Sequence, residues 1–418
     1  MKILWHMPTL QTRCCGLSRR ALQLAKEFAH LGWQIEFAVH AAKTDCRGDL
    51  FGGFRLIQVD APQRGPLHWA MQSIARQRNA EAVVRALPTG HDVFVSCQPE
   101  AVLAYKAATP TVFVCGGTAI LHEASERSEQ VQLPMWSRGL FVLDRHLRRR
   151  TERKAFRTAD AVVFDSDTTR RRVMAEYELR GENLYSAIGG VDSAVFVPAG
   201  VEERIQARRH VGVEADTFVI VWTGRLSPEK NGETLLRAIA LDSSKARRVI
   251  LVGDGPERAR LETLARELGL SDVVRFTGAC DDVRPYLHAA DAFAFPSRGE
   301  SFGGSLAEAM ACGLACVALR SSGCVATASE EIIEDGVSGL LAPEATERGL
   351  ADALRRLQHD PALRATLGAA ARRRAETLFT WKRAGASLND VLTRTLRSSD
   401  IVETNRTKRN LTCVLPST

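Results

Sequence analysis

No apolar run in this 418-residue chain approaches the ~20 residues that a membrane-spanning helix needs. The opening MKILWHMPTL has one lysine and a short apolar patch, so it reads as a first strand rather than a secretion signal. No Cys-x-x-Cys pair occurs, and none of the ten cysteines stands at a zinc-type spacing from histidines. That argues against a disulfide or structural-metal framework and for a reducing cytoplasm. Solenoid-period repeats and low-complexity blocks are also missing. What remains, 45% hydrophobic and 25% charged, is the composition of an ordinary globular protein long enough for two or three domains.

The formal net charge of +7 is uneven. Residues 1–200 hold 26 Lys and Arg against 20 Asp and Glu, and the remainder 30 against 29. The excess gathers in RHLRRRTERKAFR (Arg145–Arg157) and TRRRV (Thr169–Val173). Such a face either attracts anions, including acidic lipid headgroups, or is simply the solvated side of a helix.

Strands and helices alternate almost throughout. KILWHM, QIEFAVH, FRLIQV, DVFVS, TPTVFVC and DAVVFDS are apolar runs of strand length, and LSRRALQLAKEFAHLG is an amphipathic helix ending at Gly32. Residues 196–216 interrupt the rhythm with proline, glycine and charge. It restarts at TFVIVWTG and continues through NGETLLRAIAL, RRVILVGDG, PERARLETLARELGL, VVRFTG, DAFAFPS, SLAEAMACG and ACVAL. Near-continuous apolar strands with intervening helices predict parallel sheets covered on both faces. The fold class expected is α/β, with two doubly wound Rossmann-like domains facing a cleft. The expected boundaries are 1–200 and 201–380, then a C-terminal helix over 381–398 and a flexible tail over 399–418.

Three turns of the second half could carry chemistry. In WTGRLSPEKNGETLL, Gly224 leaves a strand and Arg225 and Lys230 follow, a pair suited to a diphosphate beside a helix start. In VGDGPE, Gly253 and Gly255 would let backbone approach a ligand closely. In GESFGGSLAE, Glu300 and Glu308 flank Phe302, Gly303, Gly304 and Ser305, whose N–H groups open a helix. On spacing alone the glutamates are either a helix-dipole partner and a solvated side chain or two ligands for hydroxyl groups. Asp165-Ser166-Asp167 resembles a metal-binding Asp-x-Asp, but at a strand end it reads as a helix cap.

Taken in order, GRLSPEKNG, VGDGPERARLETLARELGL, VRFTGACDDVRPYLHAADAFAFPS, ESFGGSLAEAMACG and EEIIEDGVSGLL resemble the second domain of retaining glycosyltransferases of family 4 (glycosyl transferases group 1). Those enzymes have the two-domain GT-B fold. The resemblance is strong over residues 217–345 and weaker in ADAVVFDSDTTRRRV and GGVDSAVFVPA. It implies that Arg225 and Lys230 hold the donor diphosphate, that Glu308 binds the ribose and that Glu300 contacts the transferred sugar. Phe302, Gly303 and Gly304 would form the loop beneath it, and Gly16, in RCCGLSRRALQLA, would approach the phosphates. It also implies a C-terminal helix that returns to the first domain. This chain departs from the family at Lys230-Asn231, where Lys-Gly is usual, and at Gly313-Leu314-Ala315, where Gly-x-Pro is usual. It departs again at Cys115-Gly116-Gly117-Thr118, where many members place a histidine; here His122 comes a few residues later.

The expected function is therefore transfer of a sugar, with retention and without a metal, from a nucleotide-diphosphate sugar to a glycan or lipid-linked acceptor in envelope polysaccharide or lipopolysaccharide synthesis. No other cofactor and no nucleic-acid partner is expected. The expected location is cytoplasmic, with peripheral attachment to the inner face of the membrane through Arg145–Arg157. A nucleotide-sugar epimerase of the same architecture and a non-catalytic nucleotide-sugar binder are the alternatives.

Overall fold

The computed structural model describes residues 1–10, 16–46, 48–60, 72–116, 135–181, 183–242, 247–322 and 325–412. In the first half, β1 (Lys2–Met7), α1 (Gly16–His30), β2 (Gln34–His40), β3 (Leu50–Phe51) and β4 (Phe54–Val59) lead to α2 (Gln72–Arg85). They are followed by β5 (Val93–Ser96), α3 (Pro99–Ala104), β6 (Thr111–Cys115), α4 (Met135–Thr158), β7 (Ala161–Phe164), α5 (Asp167–Glu176) and β8 (Leu184–Ser186). Their sheet has the order β3-β4-β2-β1-β5-β6-β7-β8, parallel except for the β3–β4 pair. Strands such as VFVS and TVFVC are buried along their whole length, because helices cover both faces.

The second half begins with α6 (Val201–His210), β9 (Phe218–Thr223), α7 (Gly232–Ala240), β10 (Arg247–Val252) and α8 (Arg258–Glu267). It continues with β11 (Val274–Gly278), α9 (Arg284–Ala289), β12 (Ala292–Phe295), β13 (Gly299–Glu300), α10 (Gly304–Ala311) and β14 (Ala315–Leu319). Then come β15 (Ala326–Thr327), α11 (Ser329–Ile332), β16 (Leu340–Ala342), α12 (Glu347–His359), α13 (Pro361–Leu378) and α14 (Trp381–Thr412). The second sheet has the order β11-β10-β9-β12-β14-β16, and β13 pairs only with β15 in a separate parallel ribbon.

Two expectations change. Residues 196–216, which interrupt the sequence pattern, hold α6 in their middle. The Gly200 N–H donates to Glu203 Oε2 at 2.9 Å, which caps a helix whose sequence carries almost no apolar stripe. The tail expected from 399 is helical to Thr412, because no proline or glycine between Gly385 and Pro416 interrupts α14. Residues 413–418 lie outside the described set.

α14 does return to the first domain. Ala384, Leu388, Val391 and Leu392 join the core formed by Ile3, Trp5 and the Ala21, Leu24, Ala25 and Phe28 stripe of α1. Gly385 permits this approach, since a Cβ there would stand 2.7 Å from Glu27 Cβ. The chain thus crosses between domains twice, and the crossings touch: Val191 N–H donates to Phe379 O at 2.7 Å. Among the described residues no helix is long and apolar enough to cross a membrane.

Candidate active site

In each sheet the strand order reverses beside the first strand of its half, at β1/β5 and at β9/β12. Ligands of doubly wound sheets bind at the carboxyl ends of strands around such a reversal. The turn after β9 carries Arg225 and Lys230, and the turn after β12 carries Glu300 through Ser305, so both expected donor turns flank the second reversal. The two turns touch: Lys230 Nζ pairs with Glu300 Oε2, and Arg298 N–H donates to Glu229 O at 2.8 Å. Arg225 is exposed, and its guanidinium has no partner among the described residues.

The departure at Lys230-Asn231 has a backbone reason. Asn231 sits at φ 56°, ψ 44°, in the left-handed region that asparagine tolerates better than most residues other than glycine. Its side chain then donates to Pro296 O at 3.0 Å and accepts from Thr234 Oγ1 at 3.0 Å, tying the first turn to the strand end before Glu300.

Gly303 is left-handed at φ 101° and starts α10, while Gly304 is exposed with nothing within 4 Å of a notional Cβ. The N–H groups of Gly303, Gly304 and Ser305 donate to no group among the described residues, which leaves them available at a helix start. Phe302 serves differently: it is buried in the second-domain core and meets the Phe379 ring edge-on at 5.9 Å. Its side chain anchors the loop.

Gly253 and Gly255 also change meaning. A Cβ on Gly253 would fall 1.8 Å from Gly224 O, and one on Gly255 would fall 2.3 Å from Leu226 O. These glycines admit the neighbouring turn, not a ligand, and through it they seat Gly224 and Arg225.

Across the cleft, α1 begins at exposed Gly16, which has no neighbour within 4 Å of a notional Cβ. The preceding residues 11–15 lie outside the described set, as do Gly117, Thr118 and His122. One turn into α1, Arg19 Nη1 reaches Glu308 Oε1 at 2.8 Å, joining the two domains. Burial pushes the Glu308 carboxyl up to about 7, against the opposing pull of Arg19.

Asp165, Ser166 and Asp167 divide their work. Ser166 is the cap of α5, accepting from Thr169 N–H at 3.1 Å, and Asp167 pairs with Arg170 and Arg171. Asp165 is no cap. It is buried at the end of β7, paired with Arg20, and accepts from Ser301 Oγ of the second domain at 3.2 Å. Burial raises its pKa while Arg20 and Ser301 oppose the rise. Among the described residues no three His, Cys, Asp or Glu side chains gather as metal ligands.

Arg19, Arg20, Asp165 and Ser301 were not singled out in sequence as cleft residues. One signal was available: two arginines follow Gly16 early in α1, near the end where a helix dipole disfavours cations.

The family model for glycosyl transferases group 1 matches residues 203–374. That segment is similar to the group 1 glycosyl transferases. It contains both donor turns, the β13–β15 ribbon and α6 to α13 except the first two residues of α6 and the last four of α13.

D-inositol 3-phosphate glycosyltransferase of Saccharomonospora viridis is 37% identical over 254 residues, covering 57% of this chain and 57% of that protein. The Kineococcus radiotolerans protein of the same name is 36% identical over 250 residues, covering 55% and 56%. The chain therefore spans a little over half the length of these curated relatives.

Solved structures share the whole two-domain GT-B architecture. Sucrose-phosphate synthase from Thermosynechococcus elongatus superposes with a TM-score of 0.76 at 21% identity, over 95% of this chain and 100% of that one. Anabaena Alr3699/HepE, in complex with UDP and glucose, does so at 0.70 and 21%, over 94% and 99%.

Proposed function

We propose that this chain is a retaining glycosyltransferase that takes a sugar from a nucleotide-diphosphate donor without a metal ion. The observation that carries this is the convergence of Arg225, Lys230, Glu300, Glu308 and the open N–H groups of Gly303–Ser305 around one strand-order reversal facing the other domain. In the reaction the bond between the anomeric carbon and the diphosphate breaks, and its electron pair leaves with the nucleotide. The acceptor oxygen bonds to the same carbon as its hydroxyl proton passes to the departing diphosphate oxygen, on the face from which that group leaves. Arg225, Lys230 and the helix-start amides supply fixed positive charge where the diphosphate gains negative charge, lowering the barrier without reorganisation. Glu300 faces the sugar and Glu308 the ribose. Meeting of the two domains excludes water that would hydrolyse the donor.

The acceptor side is the first domain. Along α4, Arg150, Lys154 and Arg157 are exposed, while Arg149 and Arg153 are spent on Glu176 and Glu178. This supports a glycan or lipid-linked acceptor of envelope polysaccharide synthesis, presented at an anionic membrane surface that holds the protein by salt-sensitive contact. The donor reading is supported by Anabaena Alr3699/HepE, which was solved with UDP-glucose.

The deciding experiment is thermal unfolding with UDP-, GDP- and ADP-glucose and their galactose, mannose and N-acetylglucosamine counterparts. A donor at about 100 times its Kd adds ~2.7 kcal/mol of stability, visible as a raised Tm. Stabilisation by none of them overturns the reading.

A further inference from the structure

The two-stranded ribbon that carries Glu300 belongs to the second domain, yet the segments leaving both its strands at its carboxyl end are fastened to the first. Ser301, directly after β13, is buried, and its one hydroxyl proton is shared between Gly116 O at 3.0 Å and Asp165 Oδ2 at 3.2 Å. The Thr169 hydroxyl returns a bond of 3.5 Å to Ser301 O. At the same end, past β15 on α11, Glu331 accepts from the Asp167 N–H at 2.9 Å and from the Thr168 N–H. Its carboxylate therefore sits on the N-terminus of α5, where the helix dipole favours an anion. Every one of these first-domain groups except Gly116 lies in the β7–α5 turn, Asp165 to Thr169.

Asp165 is itself held. Its side chain is 7% exposed, that of its partner Arg20 is 13% exposed, and the two are bound as an ion pair. A buried carboxylate with one fixed partner has little freedom to reorient, because swinging away would leave two uncompensated charges. Within the second domain, Arg374 holds the same segment by donating to Glu331 O and Ile332 O at 2.8 Å each. The ribbon thus bridges two rigid bodies, and Glu300 is the side chain immediately before one of the fastenings.

We propose that Asp165, clamped by Arg20, docks the Ser301 hydroxyl when the domains meet and so sets the position of Glu300. Asp165 and Ser301 are positioning residues for the sugar-facing carboxylate, and Glu331 secures the segment leaving the neighbouring strand at the same end of the ribbon. This rests on the reading of the site as a nucleotide-sugar transferase. It adds that placement of the sugar and contact between the domains are one event, performed on the first-domain side by the Asp165 carboxylate.

The test compares Ser301→Ala with the full-length parent, using the nucleotide sugar that raises the parent's Tm most. Ser301→Ala removes only a hydroxyl and keeps the chain folded. The expected result is a kcat lowered by about ten-fold or more, as for a misplaced catalytic group, with donor KM within about two-fold. Glu331→Gln, which keeps its shape, is expected to lower kcat in the same sense by less. Without any donor, hydrogen exchange should quicken in Ser301→Ala both at residues 299–305 and at 165–173, on opposite sides of the cleft. Unchanged kcat with unchanged exchange overturns the proposal. So does a fall in Tm and donor affinity in step with kcat, which marks general loosening. Parent protein that binds no nucleotide sugar overturns the transferase reading instead, and the exchange arm then decides the docking by itself.

Discussion

The two faces of the cleft are built on different principles. On the second-domain face, position is imposed by backbone. Gly253 and Gly255 nest against Gly224 and Leu226, Asn231 takes a left-handed turn, and Gly303 starts α10 from a left-handed turn of its own. On the first-domain face, position is imposed by side chains: Arg19 and Arg20 stand on α1, Asp165 directly follows β7, and all three act by reaching across or toward one another. A face made of turns holds its backbone course alone, except at the β13–β15 ribbon, whose seat is completed from across the cleft. One made of reaching side chains acquires its shape when the partner face arrives.

The largest effect should follow from breaking the backbone-built face. Gly253→Ala places a methyl 1.8 Å from Gly224 O at a residue with φ 143°, and should cost roughly 3 kcal/mol or more through clash and strain together. Urea unfolding measures it. Gly304→Ala, with open space at its Cβ, should stay within ~1 kcal/mol of the parent, since alanine is the better helix former. Equal stabilities for the two variants would remove the distinction between nested and open glycines.

Next in size is the charge on that face. Lys230→Ala and Arg225→Ala should each lower kcat by about 10²-fold or more, the usual result of deleting a preorganised donor from a developing anion. Steady-state transfer assays with the stabilising donor measure this. Lys230→Ala also removes the partner of Glu300, whereas Arg225→Ala breaks no contact among the described residues. A loss confined to Lys230→Ala would thus assign the effect to Glu300 and leave Arg225 without a phosphate role.

This contrast also explains what was legible in sequence. QIEFAVH and FRLIQV match β2 and β4 residue for residue, because apolar runs flanked by polar ends have few other uses in a parallel sheet. Glu300, Lys230 and Arg225 were found because glycine and a helix start mark their turns locally. Asp165 was read as a cap because its neighbours make one, and Ser166 does. Its actual partners, Arg20 and Ser301, lie 145 and 136 residues away in the chain, and no local pattern reports a pairing at that separation. α6 and the far half of α14 were missed for the opposite reason. Capping or the lack of a breaker forms those helices, and neither leaves an amphipathic stripe to count.

The smallest effect probes the one ion pair that, among the described residues, joins the two faces directly. Burial holds the Glu308 carboxyl at about 7, above the ordinary carboxylate range, with Arg19 pulling it down. A carboxyl whose proton is held more tightly in the folded state favours folding below its unfolded value. That contribution is lost as pH rises through about 7. A ribose needs the ionised form as acceptor, so donor binding runs the other way and tightens as pH rises. With UDP-glucose, whose diphosphate stays ionised throughout, affinity should improve by about ten-fold between pH 6 and pH 8, following the ionised fraction of one group centred near 7. Glu308→Gln should bind more weakly and show no such slope. Arg19→Ala should move the midpoint upward, because it deletes the only cation that favours the ionised form in this pairing. Calorimetric titrations at four pH values suffice. A slope that survives Glu308→Gln would place the titrating group elsewhere. A midpoint unmoved by Arg19→Ala would mean that the pair seen across the cleft has no hold on the carboxylate that the ribose meets.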